Sequence, residues 1–261
     1  MIRELRLFLI ALQFMTRVPV PRWVGFEPEW LNRSARHFAG VGMLVGGFAA
    51  GVLWAASRLW PMPVAVGVSM AATLWLTGAF HEDGFADTCD GLGGAVSRER
   101  ALEIMKDSRI GAYGAIGIVM MLGLKAATLA TLPLAAALPA LVLGHTASRA
   151  AATALMLVLP YAGDAAHAKA KPLAQHVGAA EGIGAALWVG LVCVGLWALD
   201  RTATPALGAG LVGAAVAAMV CARWLQRRLG GFTGDALGAT QQITELVLLL
   251  GVSATVRLGA V

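Results

Sequence analysis

Between His81 and Gly91 the chain crowds four carboxylates, Glu82, Asp83, Asp87 and Asp90, into His81-Glu82-Asp83-Gly84-Phe85-Ala86-Asp87-Thr88-Cys89-Asp90-Gly91. Four such groups repel one another unless something positive sits among them. Their hard oxygen donors suit Mg²⁺, with Mn²⁺ or Ca²⁺ as alternatives, better than zinc. Mg²⁺ usually keeps waters and shares its shell with substrate phosphates, so a partly exposed carboxylate cluster points to phosphate chemistry. Gly84, Gly91, Gly93 and Gly94 let the backbone approach a phosphate and turn sharply. The stretch reads as an acidic loop. If it is helical, Asp83, Asp87 and Asp90 fall at i, i+4 and i+7 on one stripe. A merely solvated acidic loop fits less well, because the cluster abuts two apolar runs and is poor in Lys and Ser.

Three further groups of residues carry charge where charge is useful. Lys106 and Arg109 stand one helical turn apart in Lys106-Asp107-Ser108-Arg109, a clamp for phosphate oxygens or ordinary positive charge beside a membrane span. Arg149, with His145 and Ser148 nearby, falls in the middle of an apolar run, where a charge normally faces the bundle interior and serves a site. The stretch Arg227-Arg228-Leu229-Gly230-Gly231-Phe232-Thr233-Gly234-Asp235-Ala236-Leu237-Gly238 opens another apolar helix and can offer N–H groups to an anion. There Asp235 is a further metal ligand, a partner for a sugar hydroxyl or a plain N-cap. Glu245 and Lys125 add polar points inside apolar runs. Gly111 to Gly117 is no nucleotide-binding fingerprint, since an apolar span and no strand frames it. Cys89, Cys193 and Cys221 form neither a CxxC pair nor a disulfide framework.

The elements that must position these residues follow from composition. Of the 261 residues, 58% are hydrophobic and 13% charged, with a mean hydropathy of +0.73. A soluble domain carries roughly twice that charge, so much of the surface faces a lipid bilayer. Seven stretches approach the length of a spanning helix, near 38–58, 62–80, 110–132, 138–160, 183–200, 204–222 and 239–260. The expectation is an all-α, polytopic transmembrane bundle of about seven spans, forming a single domain over 1–261. Leu7 to Met15 is too short to cross and reads as an interfacial or re-entrant amphipathic helix. With the N-terminus in the cytoplasm, 15 of the 20 basic residues fall on the cytoplasmic side, leaving Arg58, Arg201 and Arg257 opposite. The polar loops 81–109, 161–182 (with Lys169 and Lys171) and 223–238 then share that face. The net charge of +5 has no basic, aromatic-interleaved stripe behind it, which argues against nucleic-acid binding. Gly42, Gly46, Gly47 and Gly51 mark a face for close helix pairing, within one chain or in a homo-oligomer.

The string HEDGFADTCDGLGG, followed by ALEIMKDSRIGAYG, resembles the cobalamin synthase family, the adenosylcobinamide-GDP ribazoletransferases. LQFMTRVPVP near the N-terminus, the region from Arg149 to Leu159-Pro160-Tyr161-Ala162, and GGFTGDALGA from Gly230 extend the likeness along nearly the whole chain. The resemblance implies a Mg²⁺-dependent, multi-pass enzyme of the bacterial inner membrane with its active site toward the cytoplasm. It would join α-ribazole, or its 5′-phosphate, to adenosylcobinamide-GDP, releasing GMP and forming adenosylcobalamin or its 5′-phosphate. On that reading Glu82, Asp83, Asp87 and Asp90 hold metal, and Asp83, Asp87, Asp90 and Lys106 are the catalytic set. Asp87 or Asp90 takes the proton of the attacking hydroxyl. Asp107, Arg109, Arg149, Gly231, Thr233, Gly234 and Asp235 contact substrate.

Two alternatives fit less well. A cation transporter would set carboxylates near the bilayer midplane in two related repeats, whereas this chain has one acidic cluster and no second copy. A CDP-alcohol phosphatidyltransferase shares the reaction type. It expects Asp-Gly-x-x-Ala-Arg and two later Asp residues, and here Asp87-Thr88 stands where Ala-Arg would be.

Overall fold

In the computed structural model, which describes residues 2–94, 96–163 and 177–259, the apolar runs become helices. No strand forms among these residues; one isolated bridge pairs Tyr161 with Phe232. The chain opens with α1 (Ile2–Met15) and α2 (Pro28–Ser34) and enters the bundle through α3 (Phe38–Ala56). There follow α4 (Met62–Thr77), α5 (Phe80–Leu92), α6 (Arg98–Ile104), α7 (Ala112–Thr131) and α8 (Leu134–Val158). The last three are α9 (Ala179–Leu199), α10 (Thr204–Leu229) and α11 (Gly234–Arg257). Six helices among the described residues are long and apolar enough to cross a membrane, or seven if α4 and α5 count as one bent span. The expected all-α membrane bundle is thus present, with its ends shifted by a few residues.

Small residues decide which helices lie inside. Gly42 packs against the His145 carbonyl, and a Cβ on Gly46 would come within 2.7 Å of the Leu141 carbonyl, so α3 and α8 cross backbone to backbone. Gly47 and Gly51, on the other side of α3, meet nothing within 4 Å. Within their most apolar windows, α8 is 67% buried and α9 only 11%, which makes α8 the central helix and α9 a peripheral one. The fourteen residues of α1 bury Leu7, Ile10, Ala11 and Met15 on one face. At 1.5 Å per residue α1 spans roughly 20 Å, too little for a hydrocarbon core of about 30 Å.

The second span does not run straight to residue 80. α4 ends at Gly78 in the left-handed region (φ 68°), Ala79 follows it there (φ 55°), and α5 leaves at 89° to α4. The Arg17 N–H donates to the Leu76 carbonyl at 2.8 Å, tying the α1 exit to this corner. An L-residue in that region costs roughly 1–2 kcal/mol, and a glycine gives part of this back through its looser unfolded state. Ala79→Gly is therefore expected to stabilise the protein by about 0.5–1 kcal/mol. Thermal unfolding in detergent measures this. A lower midpoint would mean that the Ala79 methyl contributes more by packing than it costs in backbone strain.

Two expected loops are corrected. The acidic stretch is helix α5, because the turn at Gly78–Ala79 restarts the helix and the Asp83 N–H donates to the Ala79 carbonyl. Most of 223–238 is also helical: α10 continues to Leu229, Gly230 (φ 73°) ends it, and α11 begins at Gly234. Of 161–182, residues 164–176, and with them Lys169 and Lys171, lie outside the described residues.

Candidate active site

α5 is a short helix seated across the first turns of α11. The contact is made through glycines: a Cβ on Gly84 would sit 2.8 Å from the Asp235 Cα, and one on Gly238 3.1 Å from the His81 carbonyl. Two of the motifs singled out by sequence, around residues 81–91 and 230–238, are thereby in backbone contact. Thr233 caps α11, its hydroxyl accepting from the Ala236 N–H at 3.2 Å. Asp235 is thus the second helical residue and not the cap. Gly231 is pressed onto the Pro160 carbonyl, which also accepts from the Phe232 N–H at 2.9 Å. Gly231 therefore serves the junction between the α8 exit and α11.

The four carboxylates of α5 go three ways. Successive residues on an α-helix point about 100° apart, so Glu82 and Asp83 face different surroundings. Asp83 is exposed, and Asp87, one turn on, is half-buried on nearly the same side. Asp90 lies on the same stripe, one turn beyond Asp87 and roughly 10 Å along the axis from Asp83. Its oxygens accept from the Gly111 N–H at 2.7 Å and the Gly114 N–H at 2.8 Å, capping α7. Glu82 turns into the bundle and accepts from Gln242 at 2.8 Å. Among the described residues no three carboxylate, imidazole or thiolate groups converge as a cation cage. Along α5, Asp83 and Asp87, and Asp87 and Asp90, are neighbours one turn apart on a single stripe, whereas Glu82 points into the bundle.

Because Asp90 satisfies two amides at a helix N-terminus, Asp90→Ala is expected to cost about 1–2 kcal/mol of stability. Asp90→Asn, which keeps one acceptor, is expected to cost less. Unfolding midpoints in detergent distinguish the two; equal midpoints for wild type and Asp90→Ala would show that the cap is not used.

Lys106, Asp107 and Arg109 lie in the turn between α6 and α7. Met105 packs on Gly91, and Gly111 is bonded to Asp90, so this turn is held at the end of α5. Lys106 is exposed. The Arg109 guanidinium, 86% exposed, forks onto the Asp107 carboxylate at 2.6 and 3.0 Å. That pairing holds the Asp107 carboxyl down at about 2, so Asp107 stays ionised and occupies the fork expected to clamp phosphate.

Behind α5 lies a buried polar network from four helices. Lys125 on α7 donates to Glu245 and to Gln242 on α11, each at 2.7 Å. The other Glu245 oxygen meets His145 of α8 at 3.0 Å and Gln241 at 2.6 Å. Gln241 also bonds Ser148 at 2.9 Å, and Gln242 carries the chain to Glu82. Arg149, 1% exposed, donates to the His145 carbonyl at 3.0 Å. A cavity of about 30 Å³ touches Glu82, Lys125, His145 and Glu245, room for a water or two. Arg149 thus faces the interior as expected, but within this network and not on the Asp83–Asp87 face. Gln241 and Gln242 escaped the sequence reading. Their signal was two adjacent polar residues one turn before Glu245 in an apolar helix.

Comparison with known proteins fits this layout. A profile for the family described as cobalamin-5-phosphate synthase matches residues 7–253. A protein of Leptothrix cholodnii named adenosylcobinamide-GDP ribazoletransferase is 60% identical over 255 residues, covering 96% of both chains. Proteins of the same name from Shewanella amazonensis and Ralstonia nicotianae are 47% and 48% identical, covering 95% and 92% of each chain. No solved structure matches. With acidic helix, basic turn and glycine-rich α11 start all inside the matched span, the chain belongs to the cobalamin-5-phosphate synthase family.

Proposed function

We propose that the chain is a membrane transferase that assembles the nucleotide loop of cobalamin. It moves the cobinamide phosphate of adenosylcobinamide-GDP onto a hydroxyl of α-ribazole or its 5′-phosphate, and GMP leaves. The relatives named for this reaction match end to end, and the observation that carries the site is the backbone contact between Gly84 and Asp235. That contact supports a site in which Asp83 and Asp87 of α5 act with Asp235 of α11.

Phosphoryl transfer asks for alignment and charge neutralisation more than for covalent catalysis. Asp83 and Asp87 fit a magnesium ion, with manganese as a substitute. Mg²⁺ is commonly held by one or two carboxylates plus substrate phosphates, so two oxygens on one helical turn suffice without a closed cage. When bound there the ion would neutralise the diphosphate and the departing GMP. Lys106 and Arg109, in the turn held at the end of α5, would balance phosphate charge, with Asp107 orienting the Arg109 guanidinium. Both Asp90 oxygens accept from the α7 amides, which weakens Asp90 as a base. Asp87 or Asp235 receives the hydroxyl proton. Thr233 and Gly234 set the position of Asp235 at the start of α11.

The same reading puts this face on the cytoplasmic side of the inner membrane. The basic residues of the α1–α2 segment, the α5–α7 connection and the end of α10 support that orientation. Purified protein in liposomes, given Mg²⁺, adenosylcobinamide-GDP and α-ribazole, is expected to release GMP. No GMP with Mg²⁺ or Mn²⁺, from protein shown to be folded, refutes the assignment. Running α-ribazole and its 5′-phosphate in competition identifies the preferred acceptor.

A further inference from the structure

We propose that the pocket where α1 meets α2 binds the phosphate of an anionic phospholipid. The pocket measures about 460 Å³ and is lined by Ile2, Arg3, Arg6, Leu7 and Trp30. Arg3 and Arg6 stand one turn apart on α1. The Arg6 guanidinium lies over the Trp30 ring at 5.0 Å and the Trp23 ring at 6.0 Å, and it donates to the Trp23 carbonyl at 3.5 Å. Its Nε is buried without a hydrogen-bond partner. Among the described residues neither arginine has a carboxylate partner. Glu4, the acid on α1, turns to Arg36 at 3.5 Å and His37 at 3.0 Å, and Glu29 on α2 is taken by Arg33 at 3.0 Å. Arg6 is thus held in place with Arg3 one turn away, and among the described residues neither is paired with a carboxylate. A guanidinium already stacked on indoles loses little freedom on binding, and its planar fork matches phosphate oxygens.

The rim identifies which phosphate. Ile2, which lines the pocket, and Trp23, over which Arg6 lies, are 72% and 48% exposed. On and beside a helix too short to cross, such residues belong at the headgroup boundary, where tryptophan is favoured and apolar side chains reach the acyl region. A soluble anion would use the arginines and leave this rim wet. A phospholipid uses both, with its phosphate on Arg3 and Arg6 and its chains along Ile2 and Trp23. Occupancy by lipid depends on the chain residing in a membrane and not on the transferase reading.

The test uses full-length protein in nanodiscs of equimolar phosphatidylglycerol and phosphatidylcholine, with retained lipids counted by native mass spectrometry after release. Each arginine near an anionic surface contributes about a factor of five, so phosphatidylglycerol is expected in roughly 30-fold preference. Arg3→Gln/Arg6→Gln is expected to bring the ratio close to one. Arg58→Gln, which removes an arginine stacked on Trp54 at 5.1 Å, leaves it unchanged. Arg3→Gln alone alters an exposed position and covers the case in which the double variant fails to fold; it is expected to lose about a factor of five. An unchanged preference in the double variant, or in Arg3→Gln, overturns the proposal. So does displacement of the lipid by glycerol 3-phosphate at matched concentration, which would make this a site for soluble phosphates.

Discussion

Asp83→Asn and Asp87→Asn are each expected to slow GMP release by roughly 10²–10⁴-fold, the range seen when a group acting directly on the reacting atoms is lost. The protein should stay folded and in the membrane. Asp83 is exposed, and substitutions at such positions usually change stability by no more than about 0.5 kcal/mol. Asparagine keeps the shape and one oxygen but removes the charge that a divalent cation needs. Raising Mg²⁺ should therefore recover part of the activity of Asp83→Asn, where Asp87 still offers a charged oxygen. The contrast with Asp90 separates the roles. Asp90→Ala is expected to show its effect first in the unfolding midpoint, because its carboxylate caps α7 through Gly111 and Gly114. Should Asp83→Asn and Asp87→Asn both turn over at near wild-type rates, the metal role given to this face is wrong. Should Asp90→Asn lose as much activity as Asp87→Asn with an unshifted midpoint, Asp90 belongs to the chemistry after all.

Much of this was legible in the residues alone. Apolar length announced the spans, since a bilayer leaves few other uses for such runs. The i, i+4, i+7 spacing of Asp83, Asp87 and Asp90 anticipated a stripe, and α5 forms it. Spacing could not say what stands opposite the stripe. The Gly111 and Gly114 amides that Asp90 caps lie 21 and 24 residues away, and nothing in the local pattern shows where the chain returns. The corner at Gly78–Ala79 was hidden for a related reason: Ala79 is a good helix former, and only tertiary contacts hold it in the left-handed region. Gly231 read as an anion cradle because glycine density looks alike whether it serves a ligand or a close crossing. The Pro160 carbonyl shows that Gly231 serves a close crossing. Arg149 and Glu245 were readable as interior charges, but not as parts of one network, because their link runs through glutamines that carry no charge to notice.

That network carries the second large effect. Lys125→Met is expected to destabilise the protein by about 3–5 kcal/mol, the cost of stranding a buried partner charge. The size follows from what is left behind, not from the bonds lost. Interhelical hydrogen bonds in membranes average about 0.6 kcal/mol each, so losing the bonds to Gln242 and Glu245 explains roughly 1 kcal/mol. The remainder is Glu245, 4% exposed, left with His145 and Gln241 but no fixed cation within 2.7 Å. Two substitutions test this arithmetic. Gln242→Leu removes bonds without stranding a full charge pair and is expected to cost about 0.6–1.7 kcal/mol. Lys125→Met/Glu245→Leu removes both charges and is expected to recover at least about 2 kcal/mol relative to Lys125→Met. Reversible unfolding in mixed micelles gives all three values. The same chain sets the roll of α5 about its axis, because Lys125 holds Gln242 and Gln242 holds Glu82. A roll of about 100° would turn Glu82 to the direction Asp83 takes and move Asp83 off that face. Gln242→Leu should therefore lower turnover at saturating substrate more than its modest stability cost alone can explain. A double variant no more stable than Lys125→Met, or a Gln242→Leu enzyme with unchanged turnover, would refute the coupling between the buried ion pair and the acidic helix.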